Sequence, residues 1–134
     1  MRYLLAFTLL MFSFFGFGQQ IQNKSYSTIG YIKSDGTVQS SSYATLGYIK
    51  SDGKVQDASY KTLGYIQSDG RIQNSSYSTL GYYKDGKVQD NSYRTLGYID
   101  DNGKVQNASY STMGYVKGVK KEWAAAAFFF FFFN

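Results

Sequence analysis

A single motif, repeated along most of the chain, limits the folds available to this sequence. The motif spans 17 residues and reads Y-x-T-h-G-Y-h-x-x-D-G-x-h-Q-x-x-S, where h is apolar, as in "YATLGYIKSDGKVQDAS" from Tyr43 to Ser59. Successive copies open at Tyr26, Tyr43, Tyr60, Tyr77, Tyr93 and Tyr110, and the fourth copy is one residue shorter than the others. Such a fixed period indicates a repeat architecture, in which each unit packs on its neighbours.

Each copy has the pattern of a β-hairpin. Thr, Tyr, Ile and Val dominate the runs on either side of an Asp-Gly or Asn-Gly pair, which is a strong hairpin signal because glycine accepts positive φ. The fourth copy loses its residue within the turn, where "YYKDGKV" replaces "YIKSDGKV". A three-residue turn then pairs Ile49 with Val55, and a two-residue turn pairs Tyr83 with Val88, so the register is predicted to survive the deletion.

Alternation assigns two faces to each hairpin. In the second copy, Gly47, Ile49 and Val55 share one face, while Leu46 and Tyr48 share the other. Glycine weakens a strand, so its recurrence at the Gly47 position predicts that another group approaches the backbone closely there. The equivalent glycines are Gly30, Gly64, Gly81, Gly97 and Gly114.

The repeat is out of phase with the ends of the chain, which predicts that the sheet closes on itself. Ile21 to Ser25 is the second half of a unit, and Tyr110 to Gly118 is the first half. Pairing these halves completes a sixth hairpin and removes the free sheet edges. The predicted fold is mainly β, a closed ring or barrel of six short hairpins, about twelve antiparallel strands, with a C-terminal apolar helix in the centre. An open β-hairpin solenoid is the alternative.

The tail "WAAAAFFFFFF" is interpreted as a plug for this ring. A twelve-stranded barrel leaves a central space, because about eight strands enclose what side chains alone can fill. A helix that is apolar on every side must be buried on every side. The predicted plug residues are Trp123, Phe128, Phe129, Phe130, Phe131, Phe132 and Phe133. A membrane anchor, a final β-strand and a reading error in a homopolymer are the alternatives.

The N-terminus has the pattern of a secretory signal. Arg2 precedes an apolar stretch from Tyr3 to Phe15, and small residues flank Phe17 before Gln19. The predicted organisation is a signal peptide at 1–18, hairpin repeats at 19–118 and a hydrophobic helix at 119–134. The protein is therefore expected to be exported, to a periplasmic, cell-surface or extracellular location.

The repeat "TLGYIKSDGKVQ" and the tail "WAAAAFFFFFF" together resemble the β-flower family, over residues 19–134. That family in turn looks like the Tubby C-terminal domain, a twelve-stranded barrel threaded by an apolar helix. The Tubby-like group implies phosphoinositide or membrane-surface binding, but none of its lipid-binding residues can be matched here. Choline- and glucan-binding repeats and WG repeats are also similar, but both depend on Trp, which the repeats lack.

The composition argues against an enzyme and against cofactors. The chain has no His and no Cys, which excludes a Ser-His pair, a thiolate nucleophile and an ordinary zinc site. The paired carboxylates Asp100 and Asp101 lie in a turn, where aspartate is favoured for backbone reasons. A calcium ion bound at "DDNG" would lack a further acidic ligand at the spacing of a calcium-binding loop. No catalytic, cofactor-binding or metal site is predicted.

Two surfaces remain as candidates for binding. In an up-and-down ring all Asp-Gly turns lie on one rim, which collects Lys33, Lys50, Lys54, Arg71, Lys84, Lys87, Lys104 and Lys117. A net charge of +5 is enough to favour an anionic surface, such as lipid headgroups or acidic polysaccharide, but too small to indicate nucleic acid.

The tyrosines form the second candidate surface. Cross-strand packing, sugar stacking and contact with a membrane interface would each account for the rows of tyrosine. The predicted function is a non-enzymatic binding or structural module at the cell envelope, with association with a membrane surface as one form of that role. The alternative is a polysaccharide-binding hairpin solenoid that uses its Tyr rows. The oligomeric state is left open.

Overall fold

Twelve short strands make up almost all of the computed structural model, which describes residues 19–133. The predicted signal peptide lies outside the described residues. The strands are β1 (Gln20–Asn23), β2 (Thr28–Ile32), β3 (Thr37–Ser40), β4 (Thr45–Ile49), β5 (Lys54–Asp57), β6 (Thr62–Ile66), β7 (Arg71–Asn74), β8 (Thr79–Lys84), β9 (Lys87–Asp90), β10 (Thr95–Ile99), β11 (Lys104–Asn107) and β12 (Thr112–Val116). They are followed by helix α1 (Lys121–Ala126) and a π-helical segment (Ala127–Phe131).

The strands form a closed antiparallel barrel in which each pairs with its neighbours in sequence. The barrel is closed by β1 and β12, with Ile21 opposite Val116 and Gln22 opposite Tyr115. The sixth hairpin is thus made from both ends of the repeat region. This confirms the predicted closed ring and shows that the open-solenoid alternative is wrong.

The Asp-Gly turns lie at one end of the barrel, the Asp-Gly rim. Ile49 lies opposite Val55 and Tyr83 opposite Val88, so the predicted register is confirmed in both the long and the short turn. In the first turn Gly36 has φ +92°, and the Asp35 carboxylate accepts a hydrogen bond from the backbone N–H of Thr37 at 2.9 Å. The side chain therefore fixes the backbone of the turn, as expected for aspartate.

The opposite end, the Ser-Tyr rim, is formed by the turns that contain the repeated serine and tyrosine. Asp57 closes one of these turns by accepting hydrogen bonds from the N–H groups of Ser59 and Lys61. After each of these turns the strand register shifts, as between Val55↔Gly64 and Gln56↔Thr62. A β-bulge of this kind bends the strand and increases its twist, which helps short strands curve into a closed wall.

The inner face of the barrel carries the core. Ile49 and Val55 are completely buried, as are Ile21, Val38, Ile72, Val88 and Val105. Gly47 lies on the same face, whereas Tyr48 is half-buried on the outer face. The face shared by the glycine, isoleucine and valine positions is therefore the inner one.

Helix α1 enters the barrel from the Asp-Gly rim, where β12 ends. Ala124, Ala125, Ala126 and Ala127 are completely buried, because alanine lets a helix approach the surrounding wall closely. Among residues 19–133, no helix has both the length and the apolar character needed to cross a bilayer.

Each of the six phenylalanines lies against one glycine of the inner wall. A Cβ built on Gly64 would lie 2.7 Å from Phe131 Cζ and 2.1 Å from the backbone oxygen of Gln73. The other pairs are Phe128 with Gly114, Phe129 with Gly97, Phe130 with Gly81, Phe132 with Gly47 and Phe133 with Gly30. The close approach predicted from the repeated glycines is thus confirmed, and it takes the form of one ring for each hairpin.

A widened helical turn makes this one-to-one arrangement possible. An α-helix has 3.6 residues per turn, so six consecutive side chains would overrun a single circle. Here the N–H groups of Phe132 and Phe133 both bond to the carbonyl of Ala127, at 3.2 Å and 2.8 Å. The phenylalanines therefore occupy about one turn and point to successive hairpins. The alternative interpretation of the tail as a final β-strand is wrong.

The plug residues are not buried equally. Phe128 is 4% exposed, whereas Phe129 to Phe133 are half-buried and pack against the core from the Ser-Tyr side. Trp123 is also half-buried, but it lies before the buried alanines, near the Asp-Gly rim. It contributes to the mouth of the barrel, and the phenylalanines fill the barrel's interior.

Replacing Gly64 with alanine tests the contact between wall and plug. The added methyl meets a backbone oxygen and the Phe131 ring, so Gly64→Ala is expected to lower the free energy of unfolding by about 2–3 kcal/mol. Urea unfolding followed by circular dichroism measures the change. Ser75→Ala is the matched control, because alanine already occupies the equivalent positions Ala58 and Ala108. Equal stability of the two variants would contradict the tight contact.

Removing residues 124–134 tests whether the barrel needs its plug. Without the alanines and phenylalanines the Ile and Val side chains would face an open interior, so we expect loss of β circular dichroism and of the cooperative melting transition. A truncated protein that keeps its wild-type melting temperature would show that the wall is stable by itself.

Candidate binding surfaces

The eight basic residues predicted as a surface-binding site all lie beside the Asp-Gly turns. Six of them are exposed, and Lys54 and Lys104 are half-exposed. Of these eight, Arg71 alone forms an ion pair within residues 19–133, with Nε 2.9 Å from Asp69 Oδ2. The other seven ammonium groups have no carboxylate partner in that range. The rim therefore presents positive charge that is available to an external anion.

The acidic groups of this rim are engaged mainly with the backbone. Backbone N–H groups lower the pKa of Asp35 and Asp69, with Thr37 and Arg71 as the respective donors. The Asp101 carboxylate accepts a hydrogen bond from Lys121, which lowers the pKa of that carboxyl and raises the pKa of the lysine. These carboxylates stay ionised and reduce the net positive charge of the rim, but within residues 19–133 they form no ion pair with seven of its eight basic residues.

An open pocket of about 500 Å³ lies at the mouth of the barrel, between the helix and the tips of three hairpins. Trp123 and Glu122 line its helix side, and residues of the Asp-Gly turns, including Asp52 and Asp69, line the other. The Lys120 ammonium lies 4.9 Å from the centre of the Trp123 ring. This is an internal cation–π contact between two residues that both line the pocket.

Twelve tyrosines form six stacked pairs on the outside of the barrel. In each pair a strand tyrosine packs against the tyrosine of the next Ser-Tyr turn around the ring, with ring centres 4.3–4.8 Å apart and planes 4–11° from parallel. The pairs are Tyr31–Tyr43, Tyr48–Tyr60, Tyr65–Tyr77, Tyr82–Tyr93, Tyr98–Tyr110 and Tyr115–Tyr26. The rows of tyrosine in the sequence thus become pairs that surround the wall.

The tyrosines of the Ser-Tyr turns have an unusual backbone. Their φ angles are +65° to +70°, the left-handed region that bulky residues rarely adopt. The repeated glutamine stabilises this conformation, as in the hydrogen bond from Gln73 Nε2 to the carbonyl oxygen of Tyr77 at 3.0 Å. Sequence reasoning missed this feature, although a spacing of 11 or 12 residues recurs from each strand tyrosine to the next turn tyrosine along the chain.

Residues 19–133 contain no cluster of three or more acidic, His or Cys side chains that could hold a metal ion. The Asp-Gly rim, the pocket beside Trp123 and the tyrosine pairs are candidate binding surfaces.

Comparison with known proteins identifies the family of this chain. Residues 18–132 match a family model described as "5-fold beta-flower protein". No curated protein and no solved structure matches the chain. The matched range includes every strand and the phenylalanines up to Phe132. The barrel has five hairpins that are continuous in sequence, and a sixth that β1 and β12 make together.

Alkaline titration tests the tyrosine pairs. The hydrogen bond from the Tyr48 hydroxyl to that of Tyr60, 3.3 Å long, raises the pKa of Tyr48 above its ordinary value of about 10. The resulting stabilisation is complete below about pH 10 and is lost as the pH rises through the raised pKa. We expect Tyr60→Asn to shift the titration of Tyr48, followed by NMR of labelled tyrosine, to lower pH. An unchanged titration would contradict the pairing.

Proposed function

This chain belongs to the 5-fold β-flower family and is a β-hairpin repeat protein; from that premise, we propose that it is exported and acts without catalysis as a structural and binding module at the cell envelope. The secretory pattern of residues 1–18 supports export, and the lack of His and Cys supports a role without catalysis. The resemblance to Tubby C-terminal domains suggests a membrane surface as the kind of partner, but it suggests no particular lipid and no binding residue.

The Asp-Gly rim is the surface that we propose for attachment to the envelope. The observation that carries this proposal is the set of seven basic side chains without an ion-pair partner, among residues 19–133, on one rim. Lys120 at the start of the helix adds a further exposed cation there.

Anionic lipid headgroups are the proposed partner of this rim. Each lysine near an anionic membrane surface contributes about 1 kcal/mol, and the attraction falls off within a Debye length. A mixed-charge rim of this kind gives weak, reversible attachment that depends on salt. Acidic polysaccharide has the same charge and is therefore the comparison that the experiment must include.

Sedimentation with liposomes tests the proposal. The purified protein is expected to sediment with vesicles of phosphatidylglycerol at low salt, and to be released at high salt or with vesicles of phosphatidylcholine. The double variant Lys33→Gln, Lys50→Gln should weaken binding about fivefold for each lysine. The matched control is Lys24→Gln, Lys61→Gln, which removes the same charge from the Ser-Tyr rim.

Two outcomes would contradict the proposal. Equal losses in the two double variants would show that net charge, not the Asp-Gly rim, governs binding. Binding to an acidic polysaccharide without binding to anionic vesicles would assign the rim to that polymer.

A further inference from the structure

Six tyrosine rings form an exposed belt around the outside of the barrel. We define the tyrosine belt as the turn members of the six pairs, Tyr26, Tyr43, Tyr60, Tyr77, Tyr93 and Tyr110. Each is 60–65% exposed. Because the strand tyrosine covers one ring face, the exposed area of each belt tyrosine includes its other face. The barrel thus presents six similar aromatic faces to solvent.

These tyrosines occupy positions whose backbone conformation favours other residue types. Glycine and asparagine adopt positive φ most readily, and a bulky residue there is a genuine outlier. The flanking positions differ among the copies, as in Ser41, Ala58 and Asn91, yet tyrosine recurs at all six belt positions. Stacking on the strand tyrosine offsets part of the strain. That stacking does not explain why a tyrosine is present at the turn position at all.

We infer that the tyrosine belt binds a neutral, β-linked polysaccharide by stacking pyranose rings on its exposed faces. An aromatic face is electron-rich, and the C–H groups on the flat side of a pyranose carry partial positive charge. Hexoses with equatorial hydroxyls, joined by β-linkages, present this flat side repeatedly along a chain. The phenolic hydroxyls at the ring edges supply hydrogen-bonding partners for the sugar hydroxyls.

The charge around the belt favours a neutral ligand. Charged residues beside it have both signs, as in Asp57 and Lys61 of one turn, and Arg94 forms an ion pair with Asp90 at 3.1 Å. Single-stranded nucleic acid also stacks on aromatic rings, but it requires a positively charged groove along its backbone. The belt has no such groove within the described residues.

The position of the rings favours a polymer over a membrane. The Tyr43 ring extends from the Ser-Tyr turn along the outer wall, where the hydroxyl of Tyr31 donates to its hydroxyl at 3.1 Å. A planar bilayer that touched one side of this wall would leave the opposite side of the belt without a partner. Separate segments of a polysaccharide reach all sides.

Six sites on one barrel would allow individually weak contacts to add up to stronger binding. Neighbouring belt positions are two strands apart, about 10 Å at the backbone, which is of the order of a disaccharide. A single stacking contact is weak, but linked contacts strengthen binding by roughly 10²-fold or more when the geometry permits simultaneous engagement. The belt is therefore expected to prefer long chains to short oligosaccharides and to cross-link them.

Affinity electrophoresis of the purified protein in gels that contain hydroxyethylcellulose tests this inference. The soluble β-glucan should retard the wild-type protein, whereas α-linked dextran should not. Tyr60→Asn should weaken binding about two- to tenfold, and the same substitution at all six belt positions should abolish retardation. Because asparagine accepts positive φ, the melting temperature should be unchanged or higher.

Matched variants distinguish the belt from the unpaired tyrosine and from the basic rim. Tyr83→Ile removes a tyrosine that lies outside the pairs and restores the residue found at Ile49, so it should bind like the wild type. The Lys33→Gln, Lys50→Gln variant should also bind β-glucan normally, which keeps this test independent of the proposed rim attachment. If the sixfold variant does not fold, the threefold variant Tyr26→Asn, Tyr60→Asn, Tyr93→Asn takes its place.

Specific results would overturn the inference. One is equal migration of the wild-type protein with and without β-glucan, and another is retardation of the folded belt variants as strong as that of Tyr83→Ile. Loss of vesicle binding in the belt variants, without any glucan binding by the wild type, would assign the tyrosines to the membrane.

Discussion

Contact between phenylalanine rings and inner-wall glycines is the constraint on which this structure depends. Twelve strands enclose more space than their own inward side chains can fill, and a void of that size would leave the core Ile and Val residues without partners on one side. The six rings occupy the space, and the glycines let each ring approach the backbone of the wall. Hairpin number, glycine number and phenylalanine number are therefore linked in this chain.

The helical geometry of the tail follows from this constraint. Alanine permits a narrow α-helix through the mouth, where Ala124 to Ala127 are completely buried. The phenylalanines must instead point in six directions at nearly one level, which a regular α-helix cannot provide. The π-helical segment, with its hydrogen bonds to the carbonyl of Ala127, widens the turn and so provides these six directions. Such departures from α-helical geometry are often found where the tertiary structure imposes a special requirement.

Local signals made much of the wall predictable, and the remaining features depend on tertiary contacts. The Asp-Gly turns, the pairing of Ile49 with Val55 and the closure by Ile21 and Val116 all follow from alternation, turn length and the two half-units. The π-helical turn does not, since nothing in a run of phenylalanine specifies how many residues make one turn. Tyr60 at positive φ contradicts its local propensity. Its stacking on Tyr48, the hydrogen bond from the glutamine and the hydrogen bond from its own N–H to the turn carbonyl stabilise that conformation. The basic residues could be placed on one rim from topology alone, but their freedom from ion pairs could not.

The pairing of β1 with β12 differs from all other strand pairs in the length of chain that it closes, and this difference bears on folding. Every other strand pair joins neighbours in sequence, so its contacts have low contact order and form quickly with little loss of chain entropy. The β1–β12 pair instead closes a loop of nearly the whole repeat region. We therefore expect hairpins to assemble along an open ribbon, whose two unpaired edges persist until this slower association. During that interval the ribbon is open to pairing with another copy, so the rate of ring closure sets how long the chain is vulnerable to aggregation.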